Sequence, residues 1–76
     1  MNWVLFSRAN CHLCNAFEEE LNSFIQSNEI RYKKVDVDSQ QKLQTLYGND
    51  VPVLCLNDQV ICQHFFDQDK ILKVII

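Results

Sequence analysis

Seventy-six residues make a single domain over residues 1–76 the expectation and exclude an inserted substrate domain, because a chain this short buries only about 60% of its unfolded surface. Hydrophobic residues make up 47% and charged residues 22%, with one glycine and one proline, which excludes a disordered tail. The net charge of -3, with its few basic residues scattered, offers no positive stripe for a phosphate backbone, so nucleic acid is not an expected partner.

Residues 1–8 carry no basic leader, and their apolar run is too short for a signal peptide or a membrane span. A cytoplasmic protein with no membrane association is therefore expected, and in that reducing compartment a close cysteine pair is catalytic or metal-binding. Residues 3–6, Trp-Val-Leu-Phe, read as a central strand buried on both faces, and residues 7–10 as a turn. Over residues 11–28 a helical stripe runs through Leu13, Ala16, Phe17, Leu21, Phe24 and Ile25, with Glu18, Glu19 and Glu20 turned mostly to water. Residues 31–37 alternate, with Tyr32, Val35 and Val37 apolar among charges, as a strand near a sheet edge does.

Strand, helix and strand make a βαβ unit whose crossover is right-handed and parallel, so the turn before Cys11 falls at the carboxyl end of the first strand, where open α/β sheets place their sites. Asp38 is placed to cap a helix over residues 39–47, with Leu43, Leu46 and Tyr47 inward and Gly48 as its left-handed stop. Pro52 opens a third strand over residues 53–56, and Asn57-Asp58 turns the chain into a fourth over residues 59–63. Asp67 caps a last helix over residues 68–76, with Ile71, Leu72, Ile75 and Ile76 toward the sheet. The order is βαβαββα, an α/β fold.

The chemistry-bearing motif is Cys11-His12-Leu13-Cys14, at the start of the first helix. A helix opens with unpaired N–H groups and the positive end of its macrodipole, which favour a thiolate there. A second thiol one turn on can attack a mixed disulfide formed by the first, closing a Cys11 to Cys14 bridge. Cys14 lies a turn inside the helix, where shielding makes deprotonation harder.

That element order, the Cys-x-x-Cys after the first strand and Val51-Pro52 opening the third together resemble the thioredoxin fold in its minimal glutaredoxin form, a four-stranded mixed sheet flanked by three helices. The segments from Leu5 to Cys14 and from Tyr47 to Leu54 are similar to those of a small bacterial glutaredoxin-like family. The resemblance implies that Cys11 is the exposed nucleophile and Cys14 the resolving thiol. It places Arg8 at a basic position that glutaredoxins carry, where a cation favours the thiolate. It makes Val51-Pro52 a cis-proline turn beside the dithiol, offering the backbone of the preceding residue to a peptide or to glutathione. His12 stands where many relatives have proline or glycine; a cationic imidazole there stabilises the thiolate and makes the disulfide more oxidising, the alternative being a solvent-facing side chain. Leu13 is read as an apolar contact for substrate.

Where glutaredoxins have a Gly-Gly turn and an acidic pair, this chain has Cys62-Gln63-His64-Phe65-Phe66-Asp67, and Asp50 precedes Val51-Pro52. Both departures argue against glutathione, which stays open as reductant. Cys55 and Cys62 read as small buried hydrophobes, diagonal to one another across the Asn57-Asp58 turn, and His64 as an end-of-strand surface residue. The leading expectation is a thiol–disulfide oxidoreductase acting as a monomer on protein or low-molecular-weight disulfides. A thioredoxin-reductase-like or glutathione system would regenerate it, with no bound cofactor and no metal. A non-turnover redox-sensing or docking module, and a metal or iron–sulfur carrier, are the alternatives.

Overall fold

A computed structural model describes residues 2–75. In chain order these residues form β1 (Trp3–Ser7), α1 (His12–Asn28), β2 (Tyr32–Asp36), a single 3-10 turn (Val37–Ser39), α2 (Gln41–Tyr47), β3 (Val53–Leu56), β4 (Gln59–Gln63) and α3 (Gln68–Ile75). The sheet runs β2-β1-β3-β4, with β1 parallel to β2 and antiparallel to β3, and β3 antiparallel to β4. This is the mixed sheet and the βαβαββα order expected, with the apolar β1 at its centre and the charged β2 at its edge.

Two apolar layers hold the helices to the sheet. Trp3, Leu5, Leu54 and Cys62 pack with Phe17 and Leu21 of α1, Ile30, and Ile71 of α3. On the other face Phe6 stacks on Tyr47 of α2, with ring centroids 4.3 Å apart. Alternation along β1 sorts these sets, since successive side chains point to opposite faces. The α1 stripe is shorter than its sequence pattern: Phe17 and Leu21 are buried, whereas Ala16 and Leu13 are exposed. Leu46 of α2, expected inward, is 53% exposed, because this two-turn helix covers the sheet only through Leu43 and Tyr47. Ile71 is buried and Leu72 and Ile75 half-buried on α3; the expected contact of Ile76 lies outside the described residues.

The caps correct several sequence expectations. Asp67 Oδ1 accepts from the N–H groups of Asp69 and Lys70, as predicted. Asp38 does not cap α2: the N-cap is Gln40 without a side-chain bond, because the 3-10 turn, capped by Asp36, takes up residues 37–39. Gly48 ends α2 in right-handed conformation, at φ -56. The left-handed positions belong instead to Asn10, Glu29, Asn57, Asp58 and His64. Asn and Asp tolerate this region through local hydrogen bonding, and Asn57 and Asp58 with φ of 50 and 70 form the primed turn that suits a tight hairpin.

A bulge separates the two remaining cysteines. Cys55 pairs with Val60 as expected, but the register then shifts so that Leu54 faces Cys62, with Ile61 as the extra residue. Cys62 thus shares the α1/α3 layer with Leu54, while Cys55 points to the opposite face, toward Tyr47. The expected diagonal arrangement on one face does not occur.

The edge strand is tied to α1 by polar side chains. Tyr32 Oη lies 2.8 Å from both Glu18 Oε2 and the Asn22 side-chain amide, and Lys34 Nζ donates to Glu18 Oε1 at 2.9 Å. Glu18 is therefore bound to the sheet rather than free in water. Partial burial, reinforced by the Glu18 charge and hydrogen bond, pushes the Tyr32 phenol up to about 12. Partial burial pulls Glu18 upward, but the Lys34 and Tyr32 hydrogen bonds outweigh it and hold the carboxyl below its ordinary range. A raised phenol pKa contributes stability that is complete below about pH 10 and lost as pH climbs from 10 toward 12, where only the unfolded chain ionises. The urea midpoint is expected to fall across that window, and Tyr32→Phe, less stable at neutral pH, to fall less steeply. Parallel alkaline limbs for the two proteins would remove Tyr32 as the source.

Candidate active site

The carboxyl end of β1 delivers the chain to the dithiol. Asn10, at φ 58, turns it after Arg8 and Ala9, and Cys11 then adopts an extended conformation as the N-cap of α1. Its Sγ accepts from the backbone N–H of Cys14 at 3.1 Å, so the sulfur fills the place that a serine or aspartate oxygen takes at most helix starts. A donor aimed at Sγ and the positive helix end both favour the thiolate over the thiol. Cys11 and Cys14 are joined as a disulfide with Cα atoms 5.2 Å apart. Cys11 is half-buried and reachable; Cys14 is only 2% exposed, beneath the first turn. An incoming sulfur therefore meets Cys11 first.

The residues proposed around this pair are distributed unevenly. His12 and Leu13 lie exposed on the first turn of α1, and His12 makes no side-chain hydrogen bond among the described residues. Arg8 is turned to another task. Its Nε and Nη2 donate to the two carboxylate oxygens of Asp38 at 2.9 and 3.0 Å, and Nη1 donates to the Gly48 carbonyl at 3.0 Å. The hydrogen bonds and charge of Asp38 raise the guanidinium pKa further. Arg8 is a strut tying the turn before Cys11 to both ends of the α2 segment, with its charge engaged by Asp38.

Val51-Pro52 is cis, with Pro52 buried and Val51 half-buried. The carbonyl of Pro52 accepts from the N–H of His64 at 2.8 Å. His64, at φ 69, is the centre of a γ-turn closed by Phe65 N–H donating to the Gln63 carbonyl at 2.8 Å. The tight turn after β4 thus forms without glycine, and side chains occupy the space that glycines would leave open. His64 Nε2 lies 3.2 Å from Asp50 Oδ1, which ties the turn to the residue preceding Val51. A cleft of about 190 Å³ lies between Leu13, Ala16 and Phe17 of α1 and His64, Phe65 and Phe66. Phe65 is 71% exposed and Leu13 44% exposed, so the cleft presents apolar surface next to the dithiol.

His64, Asp50 and Phe65 as one assembly were not legible in the sequence: His64 and Asp50 lie fourteen positions apart and meet only because β3 and β4 pair. Cys55 and Cys62 are buried away from solvent, and burial pushes both thiols up, which keeps them protonated and unreactive at neutral pH. Among the described residues no group of three or more His, Cys, Asp or Glu side chains is arranged to hold a metal ion.

The geometry has close counterparts. A family model described as a glutaredoxin-like domain (DUF836) matches residues 2–76. The chain belongs to the glutaredoxin-like family. A glutaredoxin-like protein of Dictyostelium discoideum is 27% identical over 77 residues, spanning 93% of this chain and 71% of its own. The solution structure of a Nitrosomonas europaea protein superposes on this glutaredoxin-like chain with a TM-score of 0.85 at 29% identity, covering 96% of this chain and 88% of the other. The crystal structure of a glutaredoxin from Populus tremula x tremuloides, 18% identical, shares the fold with a TM-score of 0.52 over 93% of this chain and 70% of its own. Family, fold and the paired cysteines fit a thiol redox role. No helix among the described residues is long and apolar enough to cross a membrane.

Proposed function

We propose that this glutaredoxin-like protein is a thiol–disulfide oxidoreductase working through Cys11 and Cys14. The observation that carries the reading is the asymmetry of the pair: a reachable Cys11 sulfur held at a helix start by a backbone donor, over a buried Cys14. In the reducing direction, the Cys11 thiolate attacks one sulfur of a substrate disulfide. A mixed disulfide forms, and the other substrate sulfur leaves as a thiolate that takes up a proton. Cys14 then loses its proton and attacks Cys11 Sγ, the Cys11–substrate bond breaks, and the second substrate thiol departs. Two electrons have passed to the substrate, and the protein is left with the Cys11–Cys14 disulfide. An external thiol system, thioredoxin-reductase-like or glutathione-based, returns the electrons.

Protein and low-molecular-weight disulfides are the proposed substrates, and Leu13, Val51 and Pro52 their proposed contacts. Incubating the fully reduced protein with hydroxyethyl disulfide and with insulin tests the reading. Stoichiometric conversion to the Cys11–Cys14 disulfide with matching thiol release is expected. No exchange with either substrate while both thiols titrate as free ends the proposal.

A further inference from the structure

A second, larger depression lies alongside the cleft at Leu13, the residue between His12 and Cys14. It is a groove of about 1040 Å³ between α1 and the start of α3, whose apolar lining includes Phe24, Phe66 and Leu72 and whose carboxylates are Glu19, Glu20 and Asp67. Glu20 and Phe66 also line the cleft beside Leu13, so the two depressions adjoin. Among the described residues neither has a Lys or Arg in its wall. The floor is held in shape by aromatic contacts, with Phe66 edge-on to Phe17 at 5.6 Å and to Phe24 at 5.8 Å.

The proposed redox role does not account for this path. At about 1040 Å³ the groove alone reaches the upper limit of small-molecule sites, and its charge disfavours glutathione, whose two carboxylates against one amine would face like charge. We propose that the groove between α1 and α3 holds a polypeptide segment carrying basic and apolar side chains, flanking the cysteine of a protein disulfide whose sulfur reaches Cys11. Apolar side chains of that segment lie on Phe24, Phe66 and Leu72, with Leu13 and Phe65 at the dithiol end. Its basic side chains meet Glu19, Glu20 and Asp67. The inference rests on the oxidoreductase reading and names the substrate class of that same site.

Two short peptides serve as probes, each with one cysteine carried as a mixed disulfide with a neutral small thiol. One has Lys and Leu around the cysteine, the other Glu and Leu. Reduced protein is expected to act on the basic peptide with kcat/KM about tenfold or more above the acidic one at low salt, since opposite charge speeds encounter and like charge suppresses it. Adding salt to about 0.5 M should shrink the ratio severalfold. The double variant Glu19→Lys with Glu20→Lys should bring the ratio to one or below. Equal rates on both peptides, or an unchanged ratio in the double variant, overturn the groove inference while exchange with hydroxyethyl disulfide leaves the oxidoreductase reading standing. Absence of exchange with hydroxyethyl disulfide overturns both.

Discussion

Cys11→Ser is expected to lower thiol–disulfide exchange by roughly a thousandfold or more, because a hydroxyl at the helix start stays protonated where a thiol ionises, and no other nucleophile is in place. The serine oxygen would accept the same Cys14 N–H bond that Sγ accepts now, so the fold is expected to survive and the loss to be chemical. Cys14→Ser should behave differently. It keeps the attacking sulfur and removes the resolver, so the mixed disulfide with substrate accumulates instead of turning over. Intact mass under non-reducing conditions reads this directly: an adduct of protein plus one substrate half in Cys14→Ser, and none in Cys11→Ser. Adducts on the Cys11→Ser protein, with the Cys14→Ser protein inert, would reverse the two roles. That result would contradict the burial of Cys14.

The largest effect on stability is expected from Phe17→Ala. Phe17 is 1% exposed, sits in the layer that joins α1 to the sheet, and meets Phe66 edge-on. Truncating a ring in such a site removes its transfer free energy and leaves a cavity, at a cost of about 3–5 kcal/mol. A domain of 76 residues has a total stability of only about 4–11 kcal/mol, so the variant loses a large share of it. The urea midpoint should fall steeply at an unchanged slope. Leu46→Ala, on the exposed side of α2, gives the contrast, with an expected loss below about 1 kcal/mol. A loss for Phe17→Ala no larger than that for Leu46→Ala would mean that the α1 layer is not where the fold is held.

What was readable in the sequence was local. The apolar run of β1, the stripe through Phe17 and Leu21, the Asp67 cap and the Asn57-Asp58 turn each carry their signal within a few residues, and each is found in place. The Cys-x-x-Cys at a helix start is local too, and Cys11 stands as the N-cap itself. The misreadings share a tertiary cause. Asp38 reads as a helix cap until Arg8, thirty positions earlier, is brought against it, and the helix then starts later without a side-chain cap. Gly48 reads as a left-handed stop, yet the chain turns at Glu29 and His64 instead, with Gly48 packed beneath the Arg8 strut. Leu46 has the spacing of an inward residue on a helix too short to bury it. The register shift between Leu54 and Cys55 left no mark that alternation over residues 59–63 could reveal, since an inserted residue is recognised only against its partner strand.

That one extra residue in β4 governs how oxidation is confined. In an unshifted ladder Cys62 would lie on the same face as Cys55, and an oxidant entering the sheet would find two thiols within reach of one another. With Ile61 inserted, the sheet itself stands between them, and each is sealed in a separate apolar layer. Cys55 and Cys62 could come to one face only if β4 slipped by one residue against β3.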